Sequence, residues 1–269
     1  MFLKRVAFVG AVAMLPAFAQ VSSAPAQMTE KIARHQHGPI KDRHDHGDGT
    51  SDSTNWSGYA VTGSSFTSAE ASWVVPTATC KGDTKDEYAA FWVGLDGFND
   101  STVEQTGTDS DCDRTSPSYY AWYEFYPKAS YEITSVPVAP GDVMYAQVVY
   151  SGSEFTITIT NKTTGKSYSK SSTVSGAARS SAEWIAEAPS NGVSILPMSD
   201  FGTILFGYDS SAVSGTNDAT DSTTSGDIGS FPSADINQID KVGKGKSPQT
   251  STCTALSSDG TSFSCKWGS

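Results

Sequence analysis

The feature that most constrains the fold is the repeated alternation of apolar and polar residues in short segments. Examples are NWSGYAVTG at 55–63, SYYAWYEFYP at 118–127 and EFTITITNKTTGKSYSKS at 154–171. Gly, Ser, Asp and Asn separate these segments, and no stretch of 12 residues keeps a helical period. A period of two places alternate side chains on opposite faces of a strand. Many short strands joined by turns predict an all-β sandwich or barrel, with a long surface loop or irregular strand region at 209–230.

The first residues of the chain predict export. Lys4 and Arg5 precede the apolar run VAFVGAVAMLP, and Ala17-Phe18-Ala19 offers a small-x-small cleavage site. We therefore expect a signal peptide over residues 1–19, with SAPA at 23–26 as a second cleavage site. The apolar run is too short to remain in a bilayer as an anchor. A soluble, secreted protein is the expected product.

Residues 20–50 are expected to form a basic, His-rich propeptide. The part from residue 27 carries four Lys and Arg and all the histidines of the chain, which are His35, His37, His44 and His46. It offers almost nothing apolar to bury, so alone it should be disordered. A solvated tail and a metal-binding tract are the alternatives. The propeptide is favoured because the segment lies between a signal peptide and a domain of opposite charge.

The remaining residues, 51–269, form one strongly acidic domain. Of the 18 Lys and Arg, six precede residue 51, and of the 29 Asp and Glu, four do, which leaves 12 against 25 and a net charge of −13. Such a charge argues against nucleic acid or an anionic membrane as a partner. Acid relieves the self-repulsion of an acidic surface, so the charge fits an acidic working environment.

The absence of histidine from the domain excludes several chemistries. Ser-His-Asp and Cys-His mechanisms need a histidine, and so does His-ligated zinc. The segment DSDCDR at 109–114 begins like a calcium loop, but Arg114 replaces the turn glycine, and GKGKS at 243–247 lacks the earlier glycine of a phosphate loop. We therefore expect no metal and no cofactor. Proton transfer would rest on carboxylates, Tyr or Lys.

The chain has four cysteines, which allow three disulfide pairings in an exported protein. CTALSSDGTSFSC reads as a hairpin with Ser258-Asp259-Gly260 as its loop, and this register places Cys253 opposite Cys265. Cys80–Cys112 then follows by elimination. Buried free thiols are the alternative.

Carboxylates and amides lie beside aromatic residues in several segments. In YYAWYEFYP, alternation puts Tyr120, Trp122 and Glu124 on one face, which suits either a binding cleft or the rim of a core. In AEWIAE, Glu183 and Glu187 share one face of a strand. Taken alone, neither segment decides between a structural and a functional role.

Together these segments are more specific. Seven motifs occur in one order from Asn55 onward, and they resemble the glutamic peptidases, or eqolisins: NWSGYA, SWVVP, FWVGLDG, VEQTGTD, YYAWYEFYP, GDVMYAQV and AEWIAE. The resemblance extends to the C-terminal cysteine hairpin. It implies an antiparallel sandwich of two curved, jelly-roll-like sheets. Q-T-G and A-E-W-I-x-E, about 80 residues apart, are its most diagnostic pair.

The resemblance also implies site residues. The family's catalytic glutamine matches Gln105, and its catalytic glutamate matches Glu187, which leaves Glu183 as a structural partner. Its supporting residues match Trp92, Asp96, Asp109, Trp122 and Glu124. Two departures are visible, since Tyr120 replaces an Asp of the family and Ala188-Pro189 replace Asp-Phe.

The function implied is a secreted, metal-independent acid endopeptidase, made as a zymogen and acting as a monomer on protein or peptide substrates. Its propeptide would be its inhibitor. Two rivals remain from the residues alone. One is a β-sandwich glycoside hydrolase that uses Glu124 and Glu187 as its carboxylate pair, and the other is a non-catalytic carbohydrate-binding module with an aromatic face.

Overall fold

The structure is a computed structural model that describes residues 29–81, 85–211, 213 and 216–269. The expected signal peptide lies outside these residues. The strands are β1 Glu30–Ile32, β2 His44–Asp45, β3 Thr50–Ser53, β4 Trp56–Thr62, β5 Ser68–Val74, β6 Ala90–Leu95, β7 Val103–Asp113, β8 Ser116–Tyr126, β9 Tyr131–Ile133, β10 Val143–Ser151, β11 Glu154–Asn161, β12 Lys166–Ser172, β13 Ser181–Glu187, β14 Thr203–Gly207, β15 Asp218–Thr220, β16 Ser225–Asp227, β17 Ile236–Lys241, β18 Thr250–Cys253 and β19 Ser262–Gly268. A short helix, α1 Tyr208–Ser211, and a 3-10 turn, Ile228–Ser230, complete the elements. Among these described elements there is no helix with the length and hydropathy of a membrane span.

The strands form one large, mainly antiparallel sheet that bends over into two layers. The first layer has the order β1-β9-β8-β7-β6-β13-β4-β17. Strand β18 connects β17 to the second layer, whose order is β19-β14-β5-β10-β11-β12. The layers pack face to face, with β5 and β10 over β6 and β7. The expected antiparallel β-sandwich of two curved sheets is confirmed.

The main core lies between the two layers, and the period of two decides which side chains enter it. In β11, Phe155, Ile157 and Ile159 are buried while the threonines between them are partly exposed. Trp73 of the second layer and Trp184 of the first are also fully buried there. Each large apolar side chain removed from water contributes on the order of 2 kcal/mol.

The first layer is buried on its other face as well. Every residue of β6 and β13 is buried, so neither strand has a solvent face. A second apolar cluster, containing Trp56, Trp92 and Trp122, lies on this outer face. A strand buried on both faces needs a cover on each, and the N-terminal segment is part of the outer cover.

Residues 29–50, which we call the leader, lie against the domain. Strand β1 pairs with β9, and β2 pairs with β3. Arg34 binds Asp113 with both distances under 3 Å, and Lys31 lies 3.0 Å from Glu132. The low hydrophobicity that predicts disorder for the free segment therefore does not prevent it from being ordered on the acidic domain.

Both expected disulfides are present. Cys253 pairs with Cys265 across β18 and β19, and Gly260 takes the left-handed conformation, with φ of +78°, in the connecting turn. Cys80 bonds to Cys112, which ties the loop after β5 to the end of β7. The region 209–230, expected to be a loop or irregular strand, holds the end of α1, the short strands β15 and β16, and the 3-10 turn.

Three buried carboxyls lie at one end of β6, β7 and β13. Burial, followed by the charges of Asp96 and Asp100, raises the pKa of Glu104 to about 9. Burial also raises the pKa of Glu183 well above its usual value and that of Asp96 to about 6. These groups are neutral in the folded protein at acid pH, and the group of carboxyls is therefore tolerated in acid.

The pH dependence of stability follows from these shifts. An unfolded Glu loses its proton near pH 4.3, whereas folded Glu104 keeps it until about pH 9. Between these values the unfolded state binds fewer protons, so stability falls as pH rises, by up to about 1.4 kcal/mol per pH unit for each such group. Glu104→Gln should flatten this decline in urea unfolding between pH 4 and 7.

The matched control is Glu154→Gln, at the exposed start of β11. It should leave the pH dependence unchanged. A Glu104→Gln protein with the same slope as the parent would contradict the assignment of the decline to this carboxyl.

Candidate active site

The candidate site lies on the outer face of the first layer and is built by alternation along paired strands. Residues of β7 that point outward are paired directly with outward residues of β8: Gln105 with Glu124, Gly107 with Trp122, and Asp109 with Tyr120. Directly opposed side chains on one face are neighbours. The register therefore places an amide, three carboxyl or hydroxyl groups and an indole side by side, all of them buried.

Gly107 makes room for this arrangement. A Cβ atom at this position would lie 2.2 Å from the Phe91 carbonyl oxygen and 2.6 Å from the Trp92 Cβ. Only a glycine lets β6 approach β7 so closely, because a real Cβ essentially never comes within 3.0 Å of such atoms. The glycine of the Q-T-G motif thus sets the distance between the strand carrying Trp92 and the strand carrying Gln105.

Glu187 ends β13 and faces the same site. It is paired with Ala90 of β6 and Trp56 of β4. The Trp92 indole Nε1 donates to Glu187 Oε2 at 2.9 Å, and Asn55 Nδ2 donates to Glu187 Oε1 at 3.3 Å. Burial raises the pKa of Glu187 to about 8, against the lowering effects of His37 and of the Trp92 N–H.

Asn55 is a site residue that sequence reasoning missed. It is buried, and besides Glu187 it binds the leader through Pro39 and Lys41. In the sequence it begins the NWSGYA motif, to which no catalytic or supporting role was assigned. The sequence signal that could have identified Asn55 was its position directly before the alternating strand β4.

Gln105 is fully buried and faces the leader. Its Nε2 donates a hydrogen bond to the carbonyl oxygen of His37. The leader therefore presents a peptide carbonyl to an amide side chain, which cannot ionise. This contact indicates how the site can hold the carbonyl group of a peptide.

Asp109 binds a chain of polar groups. The His35 ring hydrogen-bonds to Asp109, and the Tyr120 hydroxyl lies 2.9 Å from both Asp109 and Asp111. Burial, followed by the charge of Asp109, raises the pKa of Asp111, whereas the hydrogen bond from Tyr120 lowers it. Tyr120, one of the departures from the family pattern, thus joins the two carboxyls.

His37 is enclosed between carboxylates and an aromatic ring. Its ring stacks on Trp122 at 3.5 Å with an interplanar angle of 8°. Nε2 lies 3.4 Å from Asp109 and Nδ1 lies 3.4 Å from Glu124. Burial would lower the pKa of His37, but the charges and hydrogen bonds of Asp109 and Glu124 outweigh it and raise this pKa to about 10.

The same contacts affect the neighbours of His37. Burial would raise the pKa of Asp109, but the charges of His35 and His37 lower it well below its usual value. Burial lowers the pKa of His35 in spite of Asp109. The opposite shifts of His37 and Asp109 favour an imidazolium at His37 paired with an ionised Asp109.

His35, His37 and Asp109 also place three ligand-type atoms within 4.8 Å of one another. A metal ion there would have to displace the proton of His37, which the two carboxylates hold strongly. The imidazolium is thus the cation of this cluster, and we assign no metal to it.

The remaining expected site residues lie apart from this cluster. Asp96 follows β6 and accepts hydrogen bonds from the backbone N–H groups of Arg179 and Ser180, at 2.8 and 2.7 Å. It fixes the entry into β13 and makes no contact with the leader in the described residues. Glu183 belongs with Asp96 in the group of neutral carboxyls, four residues before Glu187.

A cavity of about 480 Å³ adjoins the site. Glu187, Asn55 and Gly38 line it together with the loop 190–195 and residues 244–246. Glu187, although almost fully buried, therefore borders this cavity on the side of the leader that follows His37.

The hydrogen bond from Trp92 to Glu187 gives a testable shift. A hydrogen bond to a charged group is worth about 1.5 kcal/mol or more, which corresponds to about one pKa unit. Trp92→Phe should therefore raise the pKa of Glu187 by about one unit in a carboxyl NMR titration. Trp73→Phe, which removes a buried indole N–H bound to Thr108, is the control and should leave this pKa in place. Equal pKa values in the two variants would show that the indole N–H does not stabilise the carboxylate.

Solved structures of known peptidases share this fold. Scytalido-glutamic peptidase with a transition state analog inhibitor matches with a TM-score of 0.63 and 26% identity, over 80% of this chain and 98% of that chain. SCP-B, described as a member of the eqolisin family in a complex with the tripeptide Ala-Ile-His, matches with a TM-score of 0.59, 26% identity and the same coverage.

Two curated proteins are similar to this chain in sequence. Aspergillopepsin-2 of Aspergillus niger is 30% identical over 176 residues, which are 57% of this chain and 62% of that protein. Scytalidopepsin B of Scytalidium lignicola is 37% identical over 120 residues, 44% of each protein. The chain thus aligns with less than two thirds of the length of either relative.

The family model of the Peptidase A4 family matches residues 54–267, which begin just after the leader and include Gln105 and Glu187. This match covers most of the chain and confirms the resemblance found in the motifs. The chain belongs to the Peptidase A4 family, the glutamic peptidases.

Proposed function

We propose that the mature domain is a secreted acid endopeptidase that hydrolyses peptide bonds by attack of water, with Gln105 and Glu187 as its catalytic residues. The observation that carries this proposal is the hydrogen bond from Gln105 Nε2 to a peptide carbonyl of the leader. A peptidase would hold the carbonyl of its substrate by a contact of this kind, and the contact therefore supports the proposal. Family membership supports the same reaction, and one relative was solved with a bound tripeptide.

Glu187 has the position and chemistry of the general base and acid. As a carboxylate it takes a proton from water, and the resulting acid then gives that proton to the leaving nitrogen. The Trp92 and Asn55 hydrogen bonds aim its two oxygens and stabilise the charged form. When the leader leaves, water enters the site and removes part of the burial that raises the pKa of Glu187, so the base becomes usable in acid.

Gln105 stabilises the oxyanion. Its amide N–H points to the carbonyl oxygen that becomes negatively charged when water adds, and no change of pH in the working range removes this donor. A single donor of this kind is typically worth about 3 kcal/mol in the transition state. A histidine base would be protonated in acid, which fits the use of an amide and a carboxylate.

The leader acts as the inhibitor of the precursor in this proposal. It fills the site with His35 and His37, and burial under it keeps Glu187 protonated up to about pH 8, so that the base is absent at neutral pH. Acid weakens this binding, because Asp109 must be ionised to hold His37 and an unpaired Asp titrates near pH 4.

The glycosidase rival makes a different demand on the same residues. It needs Glu124 and Glu187 as a pair, but Glu124 accepts the backbone N–H of His37 at 2.7 Å and is held by the leader. Nothing in that mechanism requires an amide at position 105. The carbohydrate-binding rival requires neither Gln105 nor Glu187 for turnover.

Substitutions of the two catalytic residues separate these functions. Glu187→Gln should abolish hydrolysis of denatured protein at pH 3–4, because an amide cannot carry the proton. Gln105→Ala should reduce kcat by roughly 10²–10³-fold, and Gln105→Glu should also disable the enzyme, since an ionised carboxylate repels the oxyanion. Retention of near-full activity by both Gln105 variants would refute the proposed mechanism.

Two controls accompany this assay. Gln147→Ala, on a partly buried position of β10 in the other layer, should retain full activity. A chelator should have no effect on the mature domain, because the proposed reaction uses no metal. Complete loss of activity on chelation would contradict the metal-free mechanism.

Maturation gives a further prediction. A precursor purified at neutral pH and moved to pH 3.5 should lose residues 27–50, and N-terminal sequencing of the active form should begin near Ser51. Asp109→Asn should weaken the dependence of leader release on pH between 3 and 5, since one of the titrating carboxylates is gone. An active enzyme that still carries the His-rich segment would count against the inhibitory role.

A further inference from the structure

We propose that the leader lies in the cleft in the direction of a substrate, with the His37–Gly38 peptide bond at the catalytic residues. Trp122, Asp109 and Glu124 then form the pocket for the side chain on the acyl side of the cleaved bond, and this pocket selects a flat, cationic side chain. The inference rests on the proposed peptidase function and adds the first cleavage site and the substrate class.

The leader is bound through its backbone, as an extended substrate would be. Gln36 and Ser190 exchange two backbone hydrogen bonds of 2.8 and 2.9 Å, in the manner of paired antiparallel strands. Further along, the Ile40 N–H donates to the Gly97 carbonyl at 3.1 Å. Backbone contacts of this kind fix the register of a peptide without depending on its sequence.

The carbonyl groups of three successive leader residues each accept a side-chain hydrogen bond. His37 accepts from Gln105, Gly38 from the Trp56 indole at 3.1 Å, and Pro39 from Asn55 at 3.2 Å. Only the first of these donors is the proposed oxyanion-stabilising group. The carbonyl carbon that water attacks is therefore that of His37.

The position of Glu187 agrees with this register. Asn55 bridges Glu187 and the Pro39 carbonyl, and Glu187 shares the lining of the adjoining cavity with Gly38. Glu187 thus lies on the Gly38 side of the His37 carbonyl. A group that protonates the leaving nitrogen must lie on that side, because the leaving nitrogen is the backbone nitrogen of Gly38.

The reaction balances without any further reactant. Glu187 accepts a proton from water, and the hydroxide adds to the His37 carbonyl carbon, whose oxygen becomes the oxyanion held by Gln105. Glu187 then returns the proton to the Gly38 nitrogen as the C–N bond breaks. The products are a carboxylic acid at His37 and a free amine at Gly38, and Glu187 is again a carboxylate.

The pocket for the acyl-side residue follows from the surroundings of His37. Its ring stacks on Trp122, and its two nitrogens lie 3.4 Å from Asp109 and Glu124. An indole face and two carboxyls attract a planar cation through cation–π and charge interactions. A carboxylate side chain would be repelled there, and a neutral apolar one would leave Asp109 without a partner for its charge.

The test uses acid-activated enzyme in excess over a synthetic peptide of residues 29–46, with products identified by mass. We expect a first cut between His37 and Gly38. A peptide with Glu in place of His37 should be cut at least 100-fold more slowly there, and one with Arg should be cut within tenfold of the parent. A peptide with His44→Glu, outside the pocket, is the matched control and should behave as the parent.

A substitution in the pocket distinguishes a role of Asp109 in substrate binding from a role in the fold. Asp109→Asn should reduce the preference for His over Leu at the acyl side by about tenfold or more, mainly through KM. A uniform loss on both peptides would mean that Asp109 acts only on the fold, and would overturn its role in selection.

Failure of this inference is separable from failure of the proposed function. If the enzyme digests denatured protein in a Gln105-dependent way but cuts the leader peptide at another bond, or leaves it intact, the assigned register and pocket are wrong and the peptidase function stands. Digestion that does not depend on Gln105 and Glu187 would instead overturn the function itself.

Discussion

A carboxyl group buried in a protein must be protonated or paired with a cation, and the first layer depends on how this requirement is met. Glu104 and Glu183 meet it by staying protonated. Asp109 meets it by pairing with His37 of the leader. One end of the layer is thus suited to acid, and the other pairs an ionised carboxyl with a cation from the leader, a pairing on which the proposed latency and substrate preference depend.

The need of a buried carboxyl group for a cation also explains how the leader can be ordered on the domain. The leader carries few apolar residues and would not fold alone, yet His35 and His37 are as deeply buried as core residues. Their burial is possible because the domain supplies the charge that a free peptide lacks. In the proposed maturation, the binding of a leader held by an imidazolium–carboxylate pair and by backbone hydrogen bonds is weakened when acid protonates the carboxylate, whereas an apolar plug would be insensitive to pH.

Strand alternation predicted much of the site. The period of two placed Trp122 and Glu124 on one face, and the Q-T-G and A-E-W-I-x-E motifs indicated Gln105 and Glu187. The roles of Asn55 and Asp111 did not follow from the sequence, because each depends on which strands become neighbours. Asp96, grouped with Trp92 by spacing, lies elsewhere because the chain turns at Asp96, whose φ is +70°, and leaves the strand.

The sequence by itself determined the class of fold, the disulfide pairing and the absence of histidine chemistry from the domain, since these depend on local periodicity, on cysteine spacing and on composition. Only the tertiary structure decided which peptide bond of the leader meets Gln105 and which carboxyls are ionised. Both depend on distances between residues about 70 to 150 positions apart in the chain, and on how much water their packing excludes. Neither quantity is encoded in a single segment.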